Sequence, residues 1–239
     1  MVSHHHKCIF IHIPKTAGQS IERVFLNLLD LKWETRAPLL LRYNDRPELG
    51  PPSLAHLKAN EYVRYQYLSQ ELFDKYYKFA FVRNPWDRMV SIYKYYNYDT
   101  RFEFKSFLLN VFKNEIWHDK YWFVGPQSGF ACGEDDTMLV DFVGRYENLQ
   151  NDFNHVCKKI GLPPIEIPHA NKSSLTSPIL SFNPKRLIKY VRYQIKGKYI
   201  PMFKRYQDYY DDETRELIAD LYRRDIELFG YKFEGNPSS

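Results

Sequence analysis

The sequence predicts a single α/β domain, residues 1–239, with a mainly parallel central sheet flanked by helices. An apolar run, a polar loop and an amphipathic segment follow one another at residues 8–29 and again at 78–96. This order is typical of strand, loop and helix in an open α/β sheet. Of the 239 residues, 44% are hydrophobic and 26% charged, so the chain can bury a sizeable core and is not wholly disordered.

The first strand is predicted at residues 8–13 (CIFIHI), a nearly continuous apolar run that suits a buried parallel strand. Pro14 ends this strand, and residues 14–20 (PKTAGQS) form a loop. A helix follows, because apolar side chains recur at helical spacing at Ile21, Val24, Phe25, Leu28 and Leu29.

The second strand is predicted at residues 78–82 (KFAFV). Asn84 then suits the N-cap of a helix and Pro85 suits its first position. Gly230 supplies a helix stop signal near the end of the chain. The later elements are expected to be a third strand at 139–143 and helices at 148–160 and 212–229.

The loop between the first strand and its helix contains the parts of a phosphate-binding cradle. A helix N-terminus offers unpaired N–H groups and a partial positive charge, and small side chains let an anion approach the backbone. An ordinary turn with an exposed lysine is the alternative. The candidate residues are Lys15, Thr16, Ala17, Gly18, Gln19 and Ser20.

The second strand is followed by Arg83, whose planar guanidinium can grip a phosphate with two hydrogen bonds. Ser91, two turns into the next helix, can donate to the same group. A nucleotide triphosphatase commonly ends such a strand in a magnesium-binding Asp, and its loop lysine follows the glycine instead of preceding it. Both departures predict an anionic nucleotide bound without a metal.

The basic residues are clustered, although the net charge of the chain is only +5. Residues 181–207 hold eight Lys and Arg and no acid, which indicates an anionic partner. Three interpretations stand: a solvated helix face, a groove for an acidic or extended glycan, or a helix that makes peripheral contact with an anionic membrane. Nucleic-acid binding is not expected, because no recognisable module accompanies the charge.

The three cysteines form no C-x-x-C pair, so neither a disulfide framework nor a zinc site is expected. No apolar run approaches the ~20 residues of a membrane helix. Residues 1–7 also lack the apolar stretch of a signal peptide. A soluble, cytoplasmic protein is predicted, with a fragment whose anchor was cut away as the alternative.

Two segments, HIPKTAGQS and FAFVRNPWDRMVSIY, together resemble the nucleotide-binding signatures of sulfotransferases that use 3′-phosphoadenosine-5′-phosphosulfate (PAPS). FVGRYENLQNDFNHVCKKIGLP, PHANKS and DYYDDETRELIADLYRRDIELFGYKF are similar to later blocks of the carbohydrate branch, which includes the heparan 2-O- and chondroitin enzymes and their bacterial relatives. The resemblance covers most of residues 7–173 and 206–234. It implies a P-loop-like sulfotransferase fold and makes an excised Golgi-lumenal domain the alternative to a cytoplasmic protein.

The resemblance also implies the ligands and the roles of the candidate residues. PAPS would be the co-substrate without a metal, 3′-phosphoadenosine 5′-phosphate (PAP) the product, and a carbohydrate hydroxyl, including that of an acidic or lipid-linked glycan, the acceptor. Residues 15–20 would bind the 5′-phosphosulfate, and Arg83 and Ser91 the 3′-phosphate. Further contacts to the 3′-phosphate would come from a later loop formed by Asn171, Lys172 and Ser173.

Two features depart from the family pattern. Gln19 stands where a Thr or Ser is more usual, which removes one hydroxyl donor but keeps the backbone N–H. Residues 174–202, which include most of the basic segment, form an insertion.

Sulfuryl transfer needs a base for the acceptor hydroxyl and a cation for the leaving phosphate. Lys15 is the predicted cation. Related enzymes place a histidine base in the interval before the second strand, so His56 is the predicted base. His118 is the reserve candidate and His169 a weaker one. The other histidines are expected to be packed or structural (His12, His155), or disordered or tag-like (His4, His5, His6).

Two alternative functions remain at this point. A metal-dependent nucleotide kinase would need a magnesium carboxylate at a strand end, which the sequence does not offer. A non-catalytic module would keep the nucleotide loop and hold a polyanion on the basic segment, and the presence of Lys15 and His56 argues against it.

Overall fold

The computed structural model describes residues 1–168 and 203–234. The insertion at 174–202 lies outside them, as does most of the basic segment 181–207. The described residues form two compact units, 1–83 with 125–168 and 84–124 with 203–234.

The strands found in the described residues belong to the first unit and are β1 (Val2–Ser3), β2 (Cys8–Ile11), β3 (Tyr77–Val82) and β4 (Phe142–Arg145). The α-helices, in chain order, are α1 (Gly18–Leu28), α2 (Glu61–Arg64), α3 (Gln70–Lys75), α4 (Pro85–Tyr95), α5 (Phe104–Ser106), α6 (Trp117–Asp119), α7 (Tyr121–Val124), α8 (Ser128–Ala131), α9 (Leu149–Lys159), α10 (Asp212–Leu221) and α11 (Arg223–Phe229). Two short 3-10 turns, Leu54–His56 and Tyr146–Asn148, flank the candidate site.

The sheet has the strand order β1-β2-β3-β4. β1 runs antiparallel to β2, whereas β2, β3 and β4 are parallel to one another. Every residue of β2 is buried, as expected of a parallel strand covered on both faces. The predicted α/β class with a mainly parallel central sheet is therefore confirmed.

Phenylalanines fill the core between one face of the sheet and two helices. Phe10, Phe79 and Phe81 from β2 and β3 belong to the same buried cluster as Phe25 of α1 and Phe153 of α9. Alternate strand residues reach this face because side chains in a strand point to opposite sides. Burial of each ring stabilises the fold by about 1.5–3 kcal/mol, so the cluster holds α1, and the loop that precedes it, against the end of β2.

The third strand begins later than the sequence predicted. The expected strand at 139–143 is wrong at its start, because β4 covers Phe142–Arg145. Leu139 instead donates its backbone N–H to Ala131, 2.8 Å away, and Asp141 exchanges hydrogen bonds with the backbone of Lys78. Apolar residues 139 and 140 are thus accommodated in a connection, and pairing with β3 starts only beyond Asp141.

The N-terminal residues form a hairpin, so the expectation that His4, His5 and His6 are disordered is wrong. Val2 and Ser3 pair with β2, and the histidines make the turn. His4 Nδ1 lies 2.8 Å from the Tyr76 hydroxyl, and His6 Nδ1 lies 2.8 Å from Ser3 Oγ. Side-chain hydrogen bonds therefore hold a segment whose composition alone suggests a tag.

In the second unit, α4 begins as predicted: Asn84 accepts a hydrogen bond from the Trp86 backbone N–H, and Pro85 opens the helix. The predicted helix 212–229 is interrupted at Tyr222, whose backbone φ of −118° separates α10 from α11. The Tyr222 ring is fully buried and its hydroxyl donates to Val124 O at 2.6 Å. The helix is therefore broken where this side chain is buried. Gly230 ends α11 as predicted, with φ 65°.

Across residues 1–168 and 203–234, none of the helices combines the length and the apolar character needed to span a membrane.

Candidate active site

The loop between β2 and α1 has an unusual backbone. Lys15 and Ala17 adopt φ of 71° and 70°, in the left-handed region that non-glycine residues rarely occupy. Such strain persists where the surroundings impose it, and it is concentrated at functional sites. Ala17 is the N-cap of α1 and has no side-chain oxygen to cap the first turn. The Ser20 backbone N–H donates to Ala17 O at 2.9 Å, and the positive end of the helix attracts an anion.

The two residues of this loop that carry hydroxyl groups are both buried or largely buried. Thr16 is fully buried, and its Oγ1 donates to Ile13 O at 2.9 Å. The proton of this hydroxyl is therefore engaged in closing the loop in this structure. Ser20 is largely buried at the first turn of α1, and Gln19 is exposed.

Gly18 is required by a neighbouring side chain. A Cβ atom at this position would lie 2.0 Å from Cδ2 and 2.1 Å from Nε2 of His12. The imidazole thus occupies the space that any other residue at position 18 would need. The small residue accommodates a protein ring, and the predicted close approach of an anion to the backbone at Gly18 stays a prediction.

Arg83 joins the end of β3 to the loop after β2. Its Nη1 donates to Lys15 O at 3.3 Å, and its guanidinium lies 4.1 Å from the centroid of the Tyr146 ring. The side-chain amide of Gln127 bonds the backbone of Arg83 twice, accepting from N at 2.9 Å and donating to O at 2.8 Å. The two predicted nucleotide-binding clusters, around Lys15 and around Arg83, are therefore in contact.

His56 ends a 3-10 turn and lies beside the end of β2. Its Nδ1 is 2.9 Å from His12 O. Because a carbonyl can only accept, Nδ1 carries the proton, and a neutral ring then has its lone pair on Nε2. The rings of His12 and His56 meet edge to face at 4.4 Å. His56 is half-buried, so the structure places the predicted base next to the Lys15 loop.

The other candidates that the structure describes, Ser91 and His118, belong to the second unit. Ser91 is largely buried on α4 of the second unit, and His118 lies on α6 of the same unit. Their predicted roles stay predictions. The candidates outside the described residues are His169, Asn171, Lys172 and Ser173.

Three residues of the cluster were missed by the sequence analysis. Tyr146 follows β4, and its position became evident only with the corrected register, in which Val82 pairs with Arg145. Glu22 lies one turn after Gly18 on the buried face of α1, at a position that usually carries an apolar side chain. Gln127 carries no sequence signal, because nothing near it in the chain indicates that it meets Arg83.

No cysteine is suited to nucleophilic chemistry. Cys8, Cys132 and Cys157 are all buried and free of disulfides. Burial raises the pKa of Cys8 to about 12 and also raises the pKa of Cys157, so the reactive thiolate form is disfavoured near neutral pH. Within the described ranges, no group of three or more His, Cys, Asp or Glu side chains could hold a metal ion.

Comparisons with known proteins identify a family and several relatives. A family model described as "Sulfotransferase family" matches residues 1–232. An uncharacterized protein of Archaeoglobus fulgidus is 39% identical over 99 residues, which are 40% of this chain and 77% of that protein. Carbohydrate sulfotransferase 11 of Rattus norvegicus is 25% identical over 215 residues, 74% of this chain, and carbohydrate sulfotransferase 14 of Mus musculus is 26% identical over 196 residues, 69% of this chain.

These matches span 57% of the rat protein and 47% of the mouse protein, so the chain covers about half the length of these curated relatives. No solved structure matches the chain.

Proposed function

The chain belongs to the sulfotransferase family, and from this premise we propose that it transfers a sulfuryl group from PAPS to a hydroxyl group of a carbohydrate. The observation that carries the proposal is the contact between Arg83 and the Lys15 loop at the carboxyl ends of β2 and β3. Its carbohydrate sulfotransferase relatives support the class of acceptor.

The chemistry of this cluster suits PAPS, which is an anion at both ends. Lys15 and the first N–H groups of α1 would hold the 5′-phosphosulfate, since a helix N-terminus attracts phosphate and sulfate. Arg83 would bind the 3′-phosphate, because a planar guanidinium matches two oxygens of a phosphate. The ring of Tyr146 packs on the guanidinium of Arg83, and the paired hydrogen bonds from Gln127 fix the Arg83 backbone. Both contacts position Arg83 for the ligand.

In the proposed reaction the acceptor oxygen attacks the sulfur atom in line with the bond to the bridging oxygen. The new S–O bond forms as the bond to the bridging phosphate oxygen breaks, and the products are a sulfate ester and PAP. The hydroxyl proton passes to Nε2 of His56, a step that a positioned base accelerates about 10²–10⁴-fold. Lys15 and the N-terminus of α1 stabilise the charge that develops on the leaving phosphate.

Two measurements test this function. Calorimetry without divalent metal should show PAP binding at least tenfold more tightly than ADP, because only PAP carries the 3′-phosphate. Incubation with sulfur-labelled PAPS and a panel of glycans, including desulfated chondroitin and heparan chains, should label at least one glycan. Equal affinity for PAP and ADP would contradict the donor, and magnesium-dependent ATP turnover would favour a kinase. PAP binding with no labelled acceptor would favour a non-catalytic module.

The cellular location and the three interpretations of the basic segment 181–207 stay predictions. Two binding assays distinguish an acidic glycan from a membrane surface as the partner of this segment. Binding to an acidic glycan in the absence of vesicles would favour the glycan, and binding to anionic vesicles would favour the membrane.

A further inference from the structure

Two buried titratable side chains have no part in the reaction proposed above. His12 is 5% exposed and Glu22 is 2% exposed. His12 Nδ1 and Glu22 Oε1 are 2.5 Å apart. Burying a carboxylate and an imidazole together costs desolvation free energy that an apolar pair would not. A pair of this kind at the edge of a candidate active site therefore calls for a role in that site.

His12 contacts both halves of the site. Its ring fills the space next to Gly18, so it packs directly on the loop that carries Lys15. Its backbone carbonyl accepts the Nδ1 proton of His56 at 2.9 Å, and its ring meets the His56 ring edge to face. The His12 ring is therefore in direct contact with the ring of the base, and its rotation would leave the His56 ring without that support.

Glu22 prevents that rotation. It extends from α1, which the phenylalanine cluster fixes to the sheet, and its carboxylate accepts the Nδ1 proton of His12. The bond selects one orientation of the imidazole, because only Nδ1 reaches the carboxylate while the opposite edge of the ring, with Cδ2 and Nε2, faces Gly18. The His12 ring, held in this orientation, packs edge to face against the His56 ring.

We propose that Glu22 and His12 are positioning residues for His56. The His12 ring, fixed by Glu22, packs against the His56 ring and keeps its Nδ1 within reach of the His12 backbone carbonyl, so that the proton stays on Nδ1 and Nε2 accepts the proton of the acceptor hydroxyl. This inference rests on the proposed function for the role of His56. Neither residue touches the reacting atoms in this scheme. Their contribution is to the geometry of the base, and it should change kcat more than nucleotide affinity.

Two substitutions of Glu22 separate position from charge. Glu22→Asp keeps the charge but withdraws the carboxylate by about 1.5 Å, the length of one C–C bond. Glu22→Gln keeps the reach and an accepting oxygen but removes the charge. We expect kcat to fall at least tenfold in Glu22→Asp and to stay within threefold in Glu22→Gln, with the PAP dissociation constant within threefold in both.

A second readout does not depend on activity. Nitrogen-15 NMR of the imidazoles at about pH 8, where an ordinary histidine is neutral, reports the tautomer, and His56→Ala assigns the signal. The wild-type chain and Glu22→Gln should show His56 protonated on Nδ1, and Glu22→Asp should show a mixture. A Glu22→Asp chain with wild-type kcat and tautomer would overturn the proposal, and so would equal losses in both variants.

Val156→Ala is the matched control for stability. Val156 belongs to the phenylalanine cluster but lies on α9, whereas Glu22 lies on α1, so Val156→Ala should lower Tm and leave kcat within twofold. A wild-type chain that transfers no sulfuryl group would refute the proposed function alone. The NMR measurement would still decide whether Glu22 positions His56.

Discussion

Replacing Gly18 with alanine puts a methyl group where the structure holds the imidazole of His12. The added carbon would lie 2.0 Å from Cδ2 and 2.1 Å from Nε2 of that ring, far inside van der Waals contact. The ring cannot simply turn away, because Glu22 holds its Nδ1 at 2.5 Å and the ring is buried. To make room for the methyl group, the loop must become overpacked and the hydrogen bond to Glu22 must break.

The loss of unfolding free energy can be estimated from these two effects. Overpacking a filled site costs about 1–3 kcal/mol, and losing a hydrogen bond to a charged group costs about 1.5–3 kcal/mol. Because both occur, Gly18→Ala should lower the free energy of unfolding by at least ~2.5 kcal/mol. For a chain of this size that corresponds to a Tm lower by roughly 5–10 °C. Urea denaturation followed by circular dichroism measures the first quantity, and a thermal melt measures the second.

A double-mutant cycle isolates the contact. Removing the ring with His12→Ala should make the added methyl tolerable, so Gly18→Ala should cost less than about 1 kcal/mol in that background. Gly129→Ala is the control, because a Cβ there meets no atom within 4 Å and alanine favours a helix. The reasoning is refuted if Gly18→Ala costs the same with and without the His12 ring.

Three further predictions concern the ligand, the base and a helix cap. Arg83→Ala should weaken PAP binding at least tenfold in calorimetry, because a charge-assisted hydrogen bond contributes about 1.5–3 kcal/mol; unchanged affinity would remove Arg83 from the donor site. His56→Ala should lower kcat about 10²–10⁴-fold with PAP affinity within threefold, and full activity would place the base elsewhere. Asp211 caps α10 through the Thr214 N–H, and its pKa is lowered first by its hydrogen bond with Lys105. A carboxyl with a lowered folded-state pKa stabilises the protein above its unfolded pKa of about 4 and loses that effect as pH falls. Asp211→Asn should therefore lower Tm at about pH 7, and the difference should shrink below about pH 4; a difference independent of pH would assign the cap to neutral hydrogen bonding.

Local sequence patterns predicted β2, α1, β3 and α9 of the first unit. The apolar run at residues 8–13 and the helical spacing that follows it depend on neighbours in the chain, and β2 and α1 appear where these patterns indicated. The start of β4 was misplaced because residues 139 and 140 are apolar, and apolar residues fit a strand and a buried connection equally well. Only pairing of Asp141 with the backbone of Lys78 decides where the strand begins.

The candidate site was predictable in part for the same reason. Lys15 and Arg83 stand at strand ends, and parallel strands bring their ends to one edge of the sheet, so their contact could be expected. His56 came from the family resemblance. Glu22 and Gln127 could not be found, because each is buried against a partner that the local sequence does not indicate. His12 lies ten residues from Glu22, and Arg83 lies 44 residues from Gln127.

The amide of Gln127 completes the end of β3 as a neighbouring strand would, with one group accepting from Arg83 N and the other donating to Arg83 O. Few side chains can do both. A glutamate at position 127 would set an oxygen against the Arg83 carbonyl, a leucine would remove both hydrogen bonds, and an asparagine would be one carbon too short. Mutational tolerance at this buried position is accordingly confined almost to the native amide, and a library of substitutions there should return few active clones.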